Sequence, residues 1–305
     1  MVNQSKSQYL DTKWFKKFFT WPLGGAVAWV VVNTLKLLPI DIASGLMGFI
    51  ARNLGPHLSV SNRARINIRN CFPEWTESRI KNVLRDMWEN CGRIIGEYPH
   101  IQNLDVSGND KRVEVIGVEH IESMRDDELP GIVFSAHIGN WELLPMLAEP
   151  NELSMNFVYR ALNSPLAEKV LRKAHGRLSP YLIPKSREGA IKMARVLKDG
   201  GHLAIMIDQK LNEGITIPFF GRPAKTTTAL AAFALKHRCP IIPARVERIA
   251  GATFRVIFYP PIQLPNSGDT VRDTELIMRN ANQIIENWIR DTPSQWLWLH
   301  RRWGK

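Results

Sequence analysis

His137 and Glu142 are the residues whose types and spacing most directly suggest chemistry. A short apolar run, Gly131 to Ala136, precedes the histidine, and the carboxylate follows it by five residues. On one continuous helix this spacing would point the two side chains about 140° apart, so the pair requires a strand-to-helix junction, where Glu142 could reach back to the ring. A carboxylate on one imidazole nitrogen leaves the other free to take a proton from a hydroxyl. The alternative is a surface histidine and a helix-start glutamate that are neighbours by chance.

Ionisable residues also follow two further strand candidates. The apolar run 153–159 is followed by Arg160, and the run 202–207 is followed by Asp208. In a parallel α/β sheet, ligands bind outside the carboxyl ends of the strands. We therefore expect His137, Arg160 and Asp208 to converge at one edge of the sheet and to form a site there.

The composition is typical of one large α/β domain with an N-terminal extension. The 305 residues are 45% hydrophobic and 23% charged, and no compositional break argues for two domains. We assign residues 1–55 to an N-terminal anchor and residues 56–305 to a catalytic domain. The three separated cysteines favour a reducing compartment and no zinc site, and they are expected to be small buried apolar side chains: Cys71, Cys91 and Cys239.

A net charge of +11 indicates an anionic partner, which could be nucleic acid, a membrane surface, a phosphorylated lipid or an acidic carrier protein. Nucleic acid is disfavoured, because the aromatic and basic residues cluster at an apolar N-terminus and no recognised binding motif is present. There, Lys13, Lys16 and Lys17 interleave with tryptophan and phenylalanine, the mixture expected at a membrane interface.

The segment 18–35 carries no charge, but its length is at the lower limit for spanning a bilayer and it contains Pro22, Gly24 and Gly25. A broken membrane-embedded hairpin or a monotopic anchor fits this pattern better than a clean span. A signal peptide is disfavoured because no cleavage pattern follows. The remaining alternative is a buried pair of N-terminal helices in a soluble protein.

Hydrophobic periodicity predicts alternating strands and helices from about residue 113 to 249, preceded by an amphipathic helix over 76–95 with Thr76 as N-cap. The predicted strands are 113–118, 131–136, 153–159, 202–207, 240–248 and 254–260, the last two joined at Ala250-Gly251. The predicted helices are 118–124, 166–178, 188–197, 229–238 and 273–290. This order predicts an α/β fold with a mainly parallel central sheet flanked by helices. The aromatic, basic tail 295–303 would be interfacial or packed beside the site.

The segment 217–228 resembles a phosphate-binding loop only in part, because Ala224 stands where that loop requires glycine. We expect instead the N-terminus of helix 229–238, with Arg222 and Lys225 nearby to bind a phosphate or a thioester-linked group. A capped helix with solvated charges is the alternative. No Gly-x-Ser-x-Gly elbow is present, which favours direct transfer of an acyl group to a hydroxyl that His137 deprotonates.

The ordered blocks of this chain resemble the late acyltransferases of lipid A biosynthesis, the lauroyl/myristoyl-type enzymes of Gram-negative bacteria. These blocks are His137-x-x-x-x-Glu142, Val158-Tyr-Arg160, Asp208-Gln209, Pro218-Phe-Phe-Gly221, Trp298-Leu-His-Arg-Arg302, Arg65-x-Asn67 and Cys71-Phe-Pro73. Ala161 departs from the pattern, since members often have proline after the arginine. The histidine–acid motif alone also occurs in glycerolipid acyltransferases, so the specificity lies in the ordered set.

The resemblance implies a bacterial inner-membrane protein whose catalytic domain faces the cytoplasm and the anionic membrane surface. It implies transfer of a fatty acyl chain from acyl carrier protein, as co-substrate, to a hydroxyl of a Kdo-bearing lipid A precursor, with neither metal nor cofactor. His137 would be the general base and Glu142 its partner. Arg160 could stabilise an oxyanion, grip phosphate or form an ion pair with Asp208.

Two alternatives stay open. One is a glycerophospholipid or other glycolipid O-acyltransferase that uses the same catalytic pair on a different acceptor. The other, from a different class, is a basic lipid- or nucleic-acid-binding protein without catalysis, in which His137 and Glu142 would be dispensable.

Overall fold

A computed structural model of the protein describes residues 21–304, apart from 105, 107–111, 148–152, 154, 163, 166, 167, 170, 171, 174 and 175. The lysine- and aromatic-rich segment before residue 21 therefore lies outside the described residues. The described part of the chain begins with four α-helices: α1 (Trp21–Leu35), α2 (Ile40–Leu54), α3 (Ser61–Cys71) and α4 (Glu77–Glu97). Thr76 caps α4 as predicted, since its hydroxyl accepts a hydrogen bond from the backbone N–H of Arg79.

A seven-stranded sheet forms the centre of the described part of the chain. Its strands are β1 (Val113–Ile116), β2 (Gly131–Ser135), β3 (Met155–Tyr159), β4 (Leu182–Pro184), β5 (His202–Met206), β8 (Ile241–Ala250) and β9 (Thr253–Phe258). Their order across the sheet is β1-β9-β8-β2-β5-β3-β4. All neighbouring pairs are parallel except β8 and β9, which form the predicted hairpin. The prediction of a mainly parallel sheet is confirmed.

Every residue of β2 is buried, because this central strand is covered on both faces. Ile132 and Phe134 point into one core with Trp288, whereas Val133 points into a second core with Leu144. This alternation follows from the two-residue period of a strand. The covering helices are α5 (Val118–Asp126), α6 (Arg187–Lys198), α7 (Ala229–His237) and α8 (Thr270–Asp291).

Several elements differ from the sequence prediction. The residues after His137 form a 3-10 helix, Trp141–Leu147, in place of an α-helix, consistent with Pro145 inside it, which cannot donate a backbone hydrogen bond. The strand β4 and the separate hairpin of β6 (Ile215–Phe219) and β7 (Arg222–Thr226) were not predicted, since they are short and contain proline. Of the predicted helix 166–178, residues 168, 169, 172 and 173 are helical and 176–178 belong to a short 3-10 helix, while several of the rest lie outside the described residues.

Helix α2 lies directly against α4. A Cβ atom on Gly92 would come within 2.2 Å of the carbonyl oxygen of Met47, and one on Gly96 within 2.3 Å of that of Ala43. These two glycines therefore let the backbones approach closely. None of the helices in the described residues is both long and apolar enough to cross a bilayer. The domain boundary at residue 55 and the anchoring role of residues 1–55 stay predictions.

Candidate active site

His137 lies two residues beyond β2, at the carboxyl edge of the sheet, as the sequence predicts. Its side chain is 16% exposed, so the ring is largely enclosed but reachable. The C-terminal tail holds its backbone: the N–H of Leu297 donates to the carbonyl of His137 at 3.0 Å, and Ile138 forms an antiparallel bridge with Trp296. Of the two predicted locations for the tail, interfacial or packed beside the site, the structure therefore shows the second.

Asp208, and not Glu142, is the carboxylate that contacts the imidazole. Its Oδ1 lies 2.8 Å from Nδ1 of His137, and its Oδ2 accepts the backbone N–H of the same residue at 2.9 Å. The indole N–H of Trp296 also donates to Oδ2, at 2.8 Å, and Asp208 is completely buried. Because an ionised carboxylate only accepts hydrogen bonds, Nδ1 carries the proton and Nε2 keeps its lone pair. Asp208 was predicted to bind substrate; in the structure it contacts His137, and its role in substrate binding stays a prediction.

The two groups change each other's pKa. Burial works against a charged imidazole, but the charge and hydrogen bond of Asp208, and then the charge of Glu142, raise the pKa of His137 above 6.5. Burial would raise the pKa of Asp208, yet the charge and hydrogen bonds of His137 hold it well below its ordinary value. The pair is therefore an ionised carboxylate beside an imidazole with increased basicity, which suits a general base.

Three side chains surround the ring of His137 besides Asp208. The side-chain nitrogen of Gln209 lies 3.3 Å from Nε2, the nitrogen that would accept a proton. The rings of Trp141 and His300 meet the imidazole edge-on, with centroids 5.1 and 4.9 Å away. Burial lowers the pKa of His300 to about 4, so this second histidine is neutral at neutral pH and does not compete for the proton.

Glu142 lies in the first turn of the 3-10 helix after His137, and its Oε1 accepts the indole N–H of Trp141 at 3.0 Å. The expected hydrogen bond to the imidazole is replaced by that of Asp208. Glu142 nevertheless acts on His137 through its negative charge, which raises the pKa of the ring. The short separation in sequence thus places the carboxylate near the histidine, but its hydrogen bond is with the neighbouring Trp141.

The cations predicted for the site are distributed differently. Arg160 follows β3 and is exposed, whereas Asp208 is buried against His137, so the two do not form the ion pair that was one alternative. Lys185, which follows β4, was missed. Its charge acts on His137 and opposes the rise in the pKa of the ring. The signal in the sequence was a lysine after a strand of only three residues, too short to be recognised.

Arg222 and Lys225 lie on β7 of the small hairpin and not in a loop before a helix. Lys225 donates from Nζ to the carbonyl of Gly214 at 3.1 Å, and the guanidinium of Arg222 lies 5.0 Å from the ring centroid of Trp303. The two cations were expected in a loop beside the N-terminus of a helix, and this geometry is wrong. The segment 222–226 before α7 is instead a strand that pairs with β6. Their predicted contact with substrate stays a prediction.

His137, Asp208 and His300 each offer a ligand atom, and these atoms all lie within 4.8 Å of one another. The oxygens of Asp208 already accept hydrogen bonds from the imidazole, the backbone and Trp296. The carboxylate of this group is thus already hydrogen-bonded within the protein.

A small apolar cavity lies between the 3-10 helix and the sheet. Its volume is about 10 Å³, room for a single water molecule, and its lining includes Val133, Leu144, Leu147, Met155, Ala204 and Phe258. Leu144 and Leu147 belong to the same 3-10 helix as Glu142. The cavity therefore adjoins the segment that carries Glu142, but it is too small to hold a hydrocarbon chain.

A histidine hydrogen-bonded to a buried carboxylate, at the carboxyl edge of a mainly parallel sheet, defines a class of α/β protein whose site can activate a hydroxyl. The chain belongs to the bacterial lipid A biosynthesis acyltransferase family, whose model matches residues 13–305. Family membership supports acyl transfer, and the paired histidine and carboxylate are compatible with it.

Individual relatives cover nearly the whole chain at low identity. A lipid A biosynthesis lauroyltransferase of Escherichia coli K12 is 26% identical over 295 residues, which are 93% of this chain and 91% of that protein. A lipid A biosynthesis acyltransferase of Haemophilus influenzae is 26% identical, over 99% and 96% of the two chains. A phosphatidylinositol mannoside acyltransferase of Mycolicibacterium smegmatis is 22% identical, over 92% and 90%.

Proposed function

We propose that the protein transfers a fatty acyl chain from acyl carrier protein to a hydroxyl of a Kdo-bearing lipid A precursor, with His137 as general base. The observation that supports this most directly is the 2.8 Å contact between Nδ1 of His137 and Asp208, because it leaves Nε2 free to accept a proton. The family and the names of the relatives support the acyl transfer and the class of acceptor.

The reaction needs one proton acceptor and no covalent enzyme intermediate. Nε2 of His137 takes the proton of the acceptor hydroxyl while the hydroxyl oxygen attacks the thioester carbonyl carbon of the donor. The tetrahedral intermediate then collapses, the carbon–sulfur bond breaks, and the imidazolium returns the proton to the leaving thiolate. The products are an ester and a free thiol. Such a base contributes roughly 10²- to 10⁴-fold to the rate.

Two acids and two cations support this step in our proposal. Asp208 orients the ring and stabilises the imidazolium, and the negative charge of Glu142 also favours the imidazolium. Lys185 and Arg160, at the ends of the neighbouring strands β4 and β3, are the cations available to stabilise the oxyanion or to bind a phosphate of the acceptor.

The surface of α6 supports an acidic carrier protein as donor. This helix starts two residues after Lys185 and exposes Arg187, Lys192, Arg195 and Lys198. Exposed Ile191 lies among these cations and offers an apolar contact at the centre of the surface. Clustered positive charge increases the rate at which an acidic partner associates.

Helix α2 supports attachment to a membrane surface, which in our proposal is the cytoplasmic face of the inner membrane. Its exposed apolar side chains recur every three or four residues and therefore share one face: Ile42, Leu46, Phe49, Ile50 and Leu54. Phe49 is 68% exposed. A contiguous apolar face of this kind, in a basic protein, suits shallow insertion into an anionic bilayer.

The decisive experiment supplies the purified protein in membranes with acyl-acyl carrier protein and several acceptors, and identifies the products by mass spectrometry. We expect acylation of a Kdo-bearing lipid A precursor by the wild-type protein and none by His137→Ala. No acylation of any acceptor by the wild-type protein would support the non-catalytic alternative, in which the protein only binds lipid. Full activity of His137→Ala would exclude His137 as the general base.

A second acceptor class is favoured by one observation, the phosphatidylinositol mannoside acyltransferase among the relatives. Its name shows that a related chain acts on a different glycolipid, so the same catalytic pair could serve another glycolipid or a glycerophospholipid. Acylation of lysophosphatidic acid, or of a mannosylated lipid, without acylation of a lipid A precursor would replace our choice of acceptor while keeping the mechanism.

A further inference from the structure

A second buried carboxylate lies behind the turn that follows His137. Glu97 is the last residue of α4 and is completely buried. Its Oε1 accepts the hydroxyl of Ser44 at 2.7 Å, and its Oε2 accepts the side-chain amide of Asn140 at 2.8 Å. The guanidinium of Arg248, from β8, donates to both oxygens, at 2.9 Å for Oε2. One carboxylate thus joins helix α2, strand β8 and the turn 138–141.

Asn90, two turns earlier on α4, extends the same network. Its side-chain amide donates to the carbonyl of Gly139 at 3.0 Å, and its oxygen accepts Nε of Arg248 at 2.8 Å. Gln295 holds the other side of the turn, because its carbonyl accepts the N–H of Gly139 at 3.2 Å. The side-chain oxygen of Gln295 accepts the backbone N–H of Arg248 at 2.8 Å, and its side-chain nitrogen donates to the backbone carbonyl of Arg248 at 2.8 Å.

The two residues held by this network, Gly139 and Asn140, connect His137 to Glu142. Gly139 has a positive φ of 60°, and a Cβ there would lie 2.1 Å from the carbonyl oxygen of Val246, so the turn is tightly seated. The amide oxygen of Asn140 also accepts the N–H of Glu142 at 3.3 Å. The network therefore determines where the segment carrying both residues lies relative to the sheet.

Stability alone is a weak explanation for these contacts. A buried ion pair such as Glu97–Arg248 often contributes no more than apolar residues of similar volume would, because both charges lose their hydration. Its directional hydrogen bonds, in contrast, fix geometry, and a displacement of about 1 Å at a catalytic group can reduce the rate about 100-fold.

We propose that Glu97 is a positioning residue for the acyl transfer: its buried carboxylate, braced by Arg248, holds Asn140 and the turn after His137 in the reactive geometry. This inference rests on the proposed function of His137. Ser44 brings α2 into the same arrangement, so the helix with the exposed apolar face and the catalytic turn share one hydrogen-bonding centre.

The test compares variants that separate geometry from stability. Glu97→Leu combined with Arg248→Met replaces the ion pair by apolar side chains, and Asn140→Ala removes one partner of Glu97, together with the acceptor of the Glu142 N–H, and leaves the ion pair intact. The matched control is Glu114→Gln, which removes a carboxylate from an exposed ion pair with Arg255 on the β1–β9 pair. For each variant kcat, KM for both substrates and Tm are measured.

We expect kcat to fall by about tenfold or more in the double variant and in Asn140→Ala, with KM within about twofold of wild type, because orientation acts on the chemical step. Glu114→Gln should keep wild-type kcat. A purely structural role predicts that a double variant with wild-type Tm also keeps wild-type kcat, and that result overturns the inference. If the double variant unfolds at the assay temperature, a wild-type kcat in Asn140→Ala overturns the inference instead. Activity of His137→Ala distinguishes failure of the proposed function from failure of the Glu97 inference alone.

Discussion

Nδ1 of His137 lies 2.8 Å from Oδ1 of Asp208, although 71 residues separate the two in sequence. Parallel pairing of β2 with β5 produces this contact, since Ser135 and Met206 are directly paired and the two side chains follow at the same edge. The neighbour in sequence, Glu142, contacts Trp141 instead. The carboxylate that contacts the imidazole is therefore supplied by the neighbouring strand of the sheet and not by the local motif.

Replacement of Asp208 by asparagine should reduce kcat by roughly 10²- to 10⁴-fold, because a neutral amide neither fixes the tautomer nor stabilises the imidazolium. The side chain keeps its shape, so expression and Tm should permit the measurement. The loss in a variant that combines Asp208→Asn with His137→Ala should match that of His137→Ala alone, since the two residues act as a unit. Asp199→Asn, at an exposed carboxylate after α6, is the control. Wild-type kcat in Asp208→Asn would contradict the proposed role.

The pH dependence of kcat/KM should report the raised pKa of His137. A base is active only when deprotonated, so the rate should rise with pH through a limb that lies above pH 6.5. Asp208→Asn should move this limb to lower pH, because burial then dominates the pKa of the ring. Glu142→Gln should move it in the same direction by less, since the charge of Glu142 has a smaller effect. A larger displacement in Glu142→Gln would reverse the assignment of the two acids.

Charge reversal on α6 should weaken use of the donor without changing the chemistry. Lys192→Glu with Arg195→Glu removes two exposed cations and adds two acids, so KM for acyl-acyl carrier protein should rise while kcat stays constant. The KM of the variant should also depend less on salt than that of wild type. Lys236→Glu, at an exposed lysine on α7, serves as the matched control. An equal KM effect from that control would remove α6 as the docking surface.

The apolar face of α2 should be required for membrane binding. Phe49→Glu with Leu54→Glu places charges at positions that are 68% and 64% exposed, so folding should be unaffected while sedimentation with anionic vesicles decreases. Val271→Glu, at a residue 78% exposed on α8, introduces the same side chain elsewhere. Undiminished vesicle binding by the α2 variant, measured in parallel with this control, would assign membrane attachment to another part of the chain.

The sequence by itself determined the elements whose hydrophobic period is strong. The buried run of β2 and β5, the long amphipathic helices α4 and α8 and the β8–β9 hairpin lie where the periodicity predicts. It also determined that His137 and Asp208 each follow the end of a buried strand. These features are local, because the side chains that define them follow one another in the chain.

Tertiary structure alone decided which groups meet. Spacing in the sequence predicted Glu142 as the carboxylate on the imidazole, whereas sheet register brings Asp208 to Nδ1. Trp296, His300 and Lys185 reach the site, and Glu97 lies behind it, through contacts between segments that are remote in sequence. Hydrogen bonds and charge interactions act over a few ångströms of space. The partners of His137 were therefore selected by strand order and by the packing of α4 and the C-terminal tail. No local sequence pattern encodes these arrangements.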